Sequence, residues 1–146
     1  MEVDVSTERT IRTPRAVVSR FAADPNNVTR WNDNIRSVEW LTAEPVQLGS
    51  QIVFVARFLR RTLRYTYEVI DYVDTERLVM RTADGPFPMQ TTYTWSDTNG
   101  NDTRMVLRNR GNPSGFSKFV APLIVPAMRR ANRRDLNQLA KLLETS

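Results

Sequence analysis

The stretch from about Ser114 to Thr145 constrains the architecture of this chain more than any other. Phe116, Phe119, Val120, Leu123, Ala127, Ala131, Leu139 and Leu143 recur at helical steps, while Arg129, Arg130, Arg133, Arg134 and Lys141 fall mostly elsewhere on the wheel. The spacing predicts one long amphipathic helix of about 45 Å. Such a helix has to lie on an apolar surface, and the rest of the chain must supply it. Pro122 and Pro126 fall inside the pattern. They fit either a bent lid over a cavity or a regular helix that begins only near Pro126.

What precedes the helix reads as sheet. Glu2 to Ile11 alternates, with Val3, Val5, Thr7, Arg9 and Ile11 on one side, as in a half-exposed edge strand. Thr13 and Pro14 supply an N-cap and a first helical position for a short helix through Ala23, with Val17, Val18 and Phe21 facing inward. Asp24 and Pro25 repeat that signal for a second short helix ending near Trp31. Further strand candidates then follow one another: Ile35 to Leu41, Gln51 to Phe58, Leu63 to Tyr72, Arg77 to Ala83, Met89 to Ser96 and Thr103 to Arg110. Short turns join the later ones, Asp84-Gly85-Pro86 and the Asp97 to Asp102 stretch among them, as consecutive antiparallel pairing requires. The last of these has an acidic look, but the carboxylate that a calcium loop needs at its twelfth position is replaced by Arg108. Asn112, Pro113 and Gly115 break the last strand before the helix.

These elements predict an α+β fold: a curved seven-stranded antiparallel sheet wrapped around a long C-terminal helix, with two short helices after the first strand. A length of 146 residues with 40% apolar content suits a single domain spanning residues 1–146. The chain contains no cysteine and no histidine, which excludes a disulfide framework, a Cys/His zinc site, a thiol nucleophile and a His-based triad. No metal and no cofactor is expected. Met1 to Thr10 is polar, and no run approaches the ~18 apolar residues of a membrane span, so the expected location is cytoplasmic. The net charge of +5 comes from 19 Arg and 2 Lys against 16 acids. A basic surface attracts phosphates, yet these arginines are scattered over many segments. No helix joins a recognition pattern to a basic stripe of its own, which argues against nucleic acid.

Strand parity separates a dry face from a wet one. Ile52, Phe54, Ala56 and Phe58 share a face, as do Leu63, Tyr65, Tyr67 and Val69; Leu78 and Met80; Met89, Thr91, Tyr93 and Trp95; and Met105, Leu107 and Asn109. Val53, Val55, Arg57, Arg64, Glu68, Arg77, Arg81, Arg104 and Arg108 stand opposite. Seven strands make a sheet about 30 Å wide, whereas a helix is only ~10 to 12 Å across. One helix therefore cannot cover the dry face, and ~400 Å² left against trapped water costs about 10 kcal/mol. A bound apolar molecule relieves that cost, as does a tightly curled sheet or a dimer partner that fills the same space.

Several stretches carry a family resemblance: Trp31-Asn32-Asp33, the Val46 to Ser50 run ending in Leu48-Gly49-Ser50, Tyr67-Glu68-Val69-Ile70, and the ending from Arg129 and Arg130 through Asp135, Leu136 and Leu139 to Leu143 and Glu144. With the element order, the chain resembles the helix-grip, START-like or Bet v 1-like superfamily (SRPBCC type), which includes polyketide cyclase/dehydrase and lipid transport relatives. The resemblance covers nearly the whole chain and implies an elongated hydrophobic cavity between sheet and long helix. It also implies binding or transport of a lipid, isoprenoid, sterol or polyketide, without implying catalysis.

The residues expected to meet such a ligand are Trp31, Phe54, Phe58, Tyr65, Tyr67, Met80, Met89, Tyr93, Trp95 and Asn109, with Thr91 as a further polar group on the same face. Trp31 fits either the cavity mouth, where the short helices meet the sheet, or a hinge between helix and strand. A few donors amid hydrophobic walls fix a ligand's orientation. The alternatives are a polyketide cyclase or dehydratase-type enzyme on the same scaffold, and an interaction protein whose basic face meets RNA, ribosome or an anionic membrane. Against the enzyme stand the absence of histidine and of paired carboxylates on the inner face, with Glu68, Arg57 and Arg81 assigned outward, although tyrosine with arginine could still stabilise an enolate. No catalytic residue is therefore assigned. The partner expected is a hydrophobic small molecule, the protein being monomer or homodimer.

Overall fold

The computed structural model describes residues 2–113 and 120–145. Its elements run β1 (Val3–Ile11), α1 (Arg15–Ala23), a 3-10 turn (Pro25–Asn27), α2 (Val28–Trp31), β2 (Ile35–Trp40), β3 (Gln51–Phe58), β4 (Arg61–Val73), β5 (Arg77–Asp84), β6 (Met89–Asp97), β7 (Thr103–Gly111) and α3 (Ala121–Glu144). The strands form one seven-stranded antiparallel sheet in the order β1-β7-β6-β5-β4-β3-β2. The two short helices thus carry the chain from one edge of the sheet to the other, and every later connection is a turn between neighbours. This is the expected α+β architecture, with strand limits within about two residues of those read from alternation.

Bulges bend the sheet. The pairing of β4 with β5 shifts register between Val69 and Asp71, and β2 with β3 shifts between Ile35 and Ser37. An extra residue on one strand increases local twist and bends it. In β4 it also resets parity: Tyr72, not Asp71, continues the inner row opposite Leu78, and Asp71 turns outward opposite Val79. Gly49 takes a φ of +86°, a conformation glycine reaches without strain, and its N–H donates to the Val69 carbonyl at 2.9 Å.

The helices differ from the sequence reading in detail. In α1 the cap position is Pro14, not Thr13; the buried Thr13 offers its carbonyl to the Thr103 hydroxyl at 2.7 Å. Val17 points outward at 49% exposure, and the inner face is Val18, Ser19 and Ala22, with Phe21 half-buried beneath the Arg30 guanidinium. Asp24 does cap its turn, accepting from the Asn26 N–H at 3.0 Å. The long helix starts at Ala121, so it does not wait for Pro126, which lies inside it on the exposed side. Its first buried residues are Ile124 and Met128; Leu123 is exposed and Ala127 half-buried, the reverse of the expected stripe. Phe116, Phe119, Ser114 and Gly115 lie outside the described residues.

Nor is the convex face uniformly wet, since it buries Val53 and Val79. Glu39 pairs with Val53 in the β2–β3 register and Arg64 pairs with Val55 in the β3–β4 register, so the Arg64–Glu39 ion pair at 3.7 Å bridges over β3 and shelters it. The Arg77–Asp71 pair flanks Val79 in the same way. Long charged side chains can cover apolar surface with their stems.

The core falls into two clusters. The larger joins Ile52, Phe54, Val69, Leu78, Tyr93 and Met105 of the sheet to α1, α2 and the C-terminal half of α3, through Leu136, Leu139, Ala140 and Leu143. The smaller joins Val3 and Val5 to Ile124 and Met128 at the N-terminal half of α3. The long helix packs chiefly along β1 and against α2, which leaves the centre of the concave face without a helix on it.

Candidate ligand-binding site

A partly open pocket of about 160 Å³ lies between the sheet and α3, lined by residues of both core clusters. The sheet contributes Phe54, Ala56 and Phe58 from β3, Leu63, Tyr65 and Tyr67 from β4, Met80 and Thr82 from β5, Met89, Thr91 and Tyr93 from β6, and Leu107 and Asn109 from β7. Strand alternation puts each of these on the concave face. Helix α3 closes the space with Ile124, Met128, Ala131, Asn132 and Asp135, and the segment after α2 adds Asn32, Asn34 and Ile35. Pro86, Phe87 and Pro113 border it near the start of α3.

Eight of the ten expected residues lie on this wall: Phe54, Phe58, Tyr65, Tyr67, Met80, Met89, Tyr93 and Asn109. Trp31 and Trp95 do not. Trp31 is 1% exposed, and its ring meets Tyr93 edge-on at 5.7 Å; the Trp95 ring also meets Tyr93 edge-on, at 6.0 Å. Trp31 is therefore a core residue packed on Tyr93 and not a side chain at the cavity mouth. Parity identifies the dry face, but the cavity occupies only its uncovered centre.

The aromatic wall is closely interlocked. Phe54 stacks on Tyr65 at 5.7 Å and meets Tyr67 edge-on at 5.7 Å, and Tyr65 and Tyr67 lie 4.9 Å apart. Offset and edge-to-face contacts of this kind hold rings in place beyond simple burial. Among them runs a polar relay. Thr91 donates to Asn109 Oδ1 at 2.8 Å, which uses its one hydroxyl proton, so its oxygen accepts from the Tyr67 hydroxyl at 2.8 Å. Burial raises the Tyr67 pKa to about 12 against the lowering pull of that hydrogen bond. Burial also pushes Tyr65 and Tyr93 up, so all three phenols are neutral donors near neutral pH.

The residue the strand argument missed is Asp135. It is 2% exposed, and loss of hydration lifts its carboxyl to about 7, partly opposed by the Asp33 N–H, which donates to Oδ1 at 3.4 Å, and by the Arg134 charge. Its field in turn helps to raise Tyr93. The wall therefore holds one titratable carboxyl, which the strand reading did not find because it comes from the helix and not from the sheet. Asn132, one turn away and 7% exposed, also went unseen; its Nδ2 finds no hydrogen-bond partner among the described residues. Among those residues no three His, Cys, Asp or Glu side chains gather as a metal site.

Comparison with known proteins fits this geometry. Residues 2–144 match the family described as polyketide cyclase / dehydrase and lipid transport. The chain belongs to this family. No curated protein matches it in sequence. Among solved structures, this family member is similar to TTHA0849 from Thermus thermophilus, with 21% identity, 98% of each chain covered and a TM-score of 0.83. It is also similar to a START superfamily protein from Mycobacterium smegmatis, with 11% identity, 97% of each chain and a TM-score of 0.82. The Zhui aromatase/cyclase from Streptomyces superposes with a TM-score of 0.82 at 16% identity, over 99% of this chain and 94% of that one. At such identities the likeness establishes the helix-grip, START-like fold. The polyketide cyclase/dehydrase and lipid transport family includes cyclases and hydrophobic-ligand binders alike, and no helix among the described residues is long and apolar enough to cross a membrane.

Proposed function

We propose that the protein binds or carries a small hydrophobic molecule in the space between α3 and the sheet, with residues 1–146 acting as one cytoplasmic ligand-binding unit. The observation that carries this reading is the wall itself: a cage of Phe, Tyr, Met and Leu side chains, with a handful of placed polar groups, at the place where sheet and helix fail to meet. The space is below the ~300 to 1,000 Å³ typical of drug-sized ligands. It suits a compact ligand on the scale of two fused rings better than a full sterol, unless the walls move apart. Native mass spectrometry of gently purified protein, with organic extraction of whatever accompanies it, tests the reading. A stoichiometric apolar molecule, or saturable uptake of naphthalene by the stripped protein, supports it. An empty extract together with no uptake of any apolar compound overturns it.

One observation favours a second reading, an enzyme of cyclase or dehydratase type. Asp135, with its carboxyl near pKa 7, has the proton affinity that suits a general acid or base at neutral pH, and it faces the space that would hold the substrate. No arginine lines the wall to support an enolate, and Arg57 and Arg81 are exposed. Binding without turnover is thus the leading reading. Once a substrate is known, turnover that vanishes in D135N while binding persists supports the enzyme.

A further inference from the structure

The charge distribution around the cavity is lopsided. The chain has 19 arginines, all within the described residues, and none of them lines the cavity. The one charged residue among the described lining is Asp135. The groups facing Asp135 are Asp33 from the segment after α2, Tyr93 from β6 and Arg134 on its own helix. Arg134 is exposed and off the lining; its guanidinium donates at 3.3 Å to Oδ1 of Asn34, a residue at the cavity's edge. A ligand entering here meets a carboxyl group and phenolic donors, with no cation from an arginine.

Beside Asp135 stands an unmet donor. The Asn132 amide is buried, lines the cavity and has no acceptor for Nδ2 among the described residues. Leaving a buried donor unpaired costs about 1 to 3 kcal/mol, and a ligand oxygen placed there recovers it. Residues three apart on a helix lie side by side, with Cβ atoms about 5 to 6 Å apart. One ligand head group can therefore touch both.

We infer that the cavity selects ligands with an uncharged polar head, a carbonyl or hydroxyl oxygen that accepts from Asn132, and turns away carboxylates and other anions because Asp135 is its only described charge. The inference rests on the binding function proposed above and specifies the ligand class for it. A free fatty acid or an aromatic acid would bring its anion against a second, poorly hydrated anion, with no arginine on the lining and only the exposed Arg134 partly offsetting Asp135. A ketone, aldehyde or alcohol of the same shape meets no such barrier.

Three matched compounds test this: acetonaphthone, naphthoate and naphthalene, the same bicycle with a neutral acceptor, an anion or no head. Calorimetry at about pH 8, where Asp135 is ionised, measures each affinity. Competition read on the Met80 and Met128 methyl resonances restricts the signal to the cavity, excluding naphthoate held on surface arginines. Acetonaphthone is expected to bind at least about tenfold more tightly than naphthoate, and Asp135→Asn to narrow that ratio by raising the naphthoate affinity. Asn132→Ala is expected to weaken acetonaphthone about five- to tenfold relative to naphthalene, and an unchanged ratio of the two affinities overturns the role given to Asn132. Naphthoate binding in the wild-type cavity as tightly as acetonaphthone overturns the inference without any variant, and so does a ratio that Asp135→Asn leaves in place. Failure of all three compounds to bind removes the cavity function itself, a different result from loss of selectivity.

Discussion

Asp135 links stability to pH with a definite sign. Its pKa rises from the ordinary 3.8 to about 7 on burial, so between those values the folded state holds a proton that the unfolded state has released. Stability from this group is therefore greatest at the acid end of the window and falls as pH rises from about 4 to about 7. Asp135→Asn keeps an oxygen for the Asp33 N–H and removes the buried charge. It should be more stable than wild type in urea unfolding by about 2 to 4 kcal/mol near pH 8, with little difference near pH 3. Equal pH profiles for the two proteins would mean that the carboxyl is hydrated after all. The signal for this residue was present in the sequence: Ala127, Ala131, Asp135, Leu139 and Leu143 follow one another at steps of four, so a carboxylate stands in the helix's apolar stripe. Alternation along strands is blind to it, because that argument sorts sheet residues only. Trp95 shows the converse limit, since parity puts it on the dry face and only the position of α3 decides that the space lies elsewhere.

At the scale of elements, the strands were legible because each alternates over enough residues to define a face, and the turns between them carry Gly, Pro, Asn and Asp. The β4 bulge was not, since a one-residue parity shift near Ile70 leaves the hydrophobic count of the strand almost unchanged. The start of α3 was obscured by two prolines: Pro122 fits the first turn, whereas Pro126, inside the helix, gives up a backbone hydrogen bond. Two local substitutions probe these elements. At the β3–β4 turn, Leu59 and Arg60 take φ values of 50° and 66°, a region that costs a non-glycine residue about 1 kcal/mol. Arg60 is exposed, so Arg60→Gly should stabilise the protein by about 0.5 to 1 kcal/mol in urea unfolding; a loss of stability would place the turn in another conformation. Gly111 sits opposite both Val3 and Met89, and a Cβ there would come within 2.2 Å of the Met89 sulfur and 2.5 Å of the Pro88 carbonyl oxygen. Gly111→Ala should cost about 2 to 3 kcal/mol and disturb the cavity wall at Met89, whereas Gly100→Ala, with open space around it, should cost far less. Equal tolerance of the two substitutions would contradict the packing described for this corner.

For the whole molecule, the governing fact is a mismatch of areas. One helix that runs along β1 and a pair of short helices at the far end cannot blanket seven strands, so the core divides and a space remains between the sheet and α3. That much followed from element count and strand parity; the polarity of the space did not, because it depends on which helix residues face inward and on the exclusion of every arginine from the wall. The methionines report on this directly. Met80, Met89 and Met128 line the space from β5, β6 and α3, whereas Met105, fully buried in the larger core cluster, is off the wall. The decisive measurement is the titration of methionine-methyl-labelled protein with acetonaphthone, followed by nuclear magnetic resonance. Saturable shifts of the Met80, Met89 and Met128 methyls, with Met105 little changed, are the predicted result; three wall methyls that stay in place up to the solubility limit of the compound would show that nothing enters between helix and sheet.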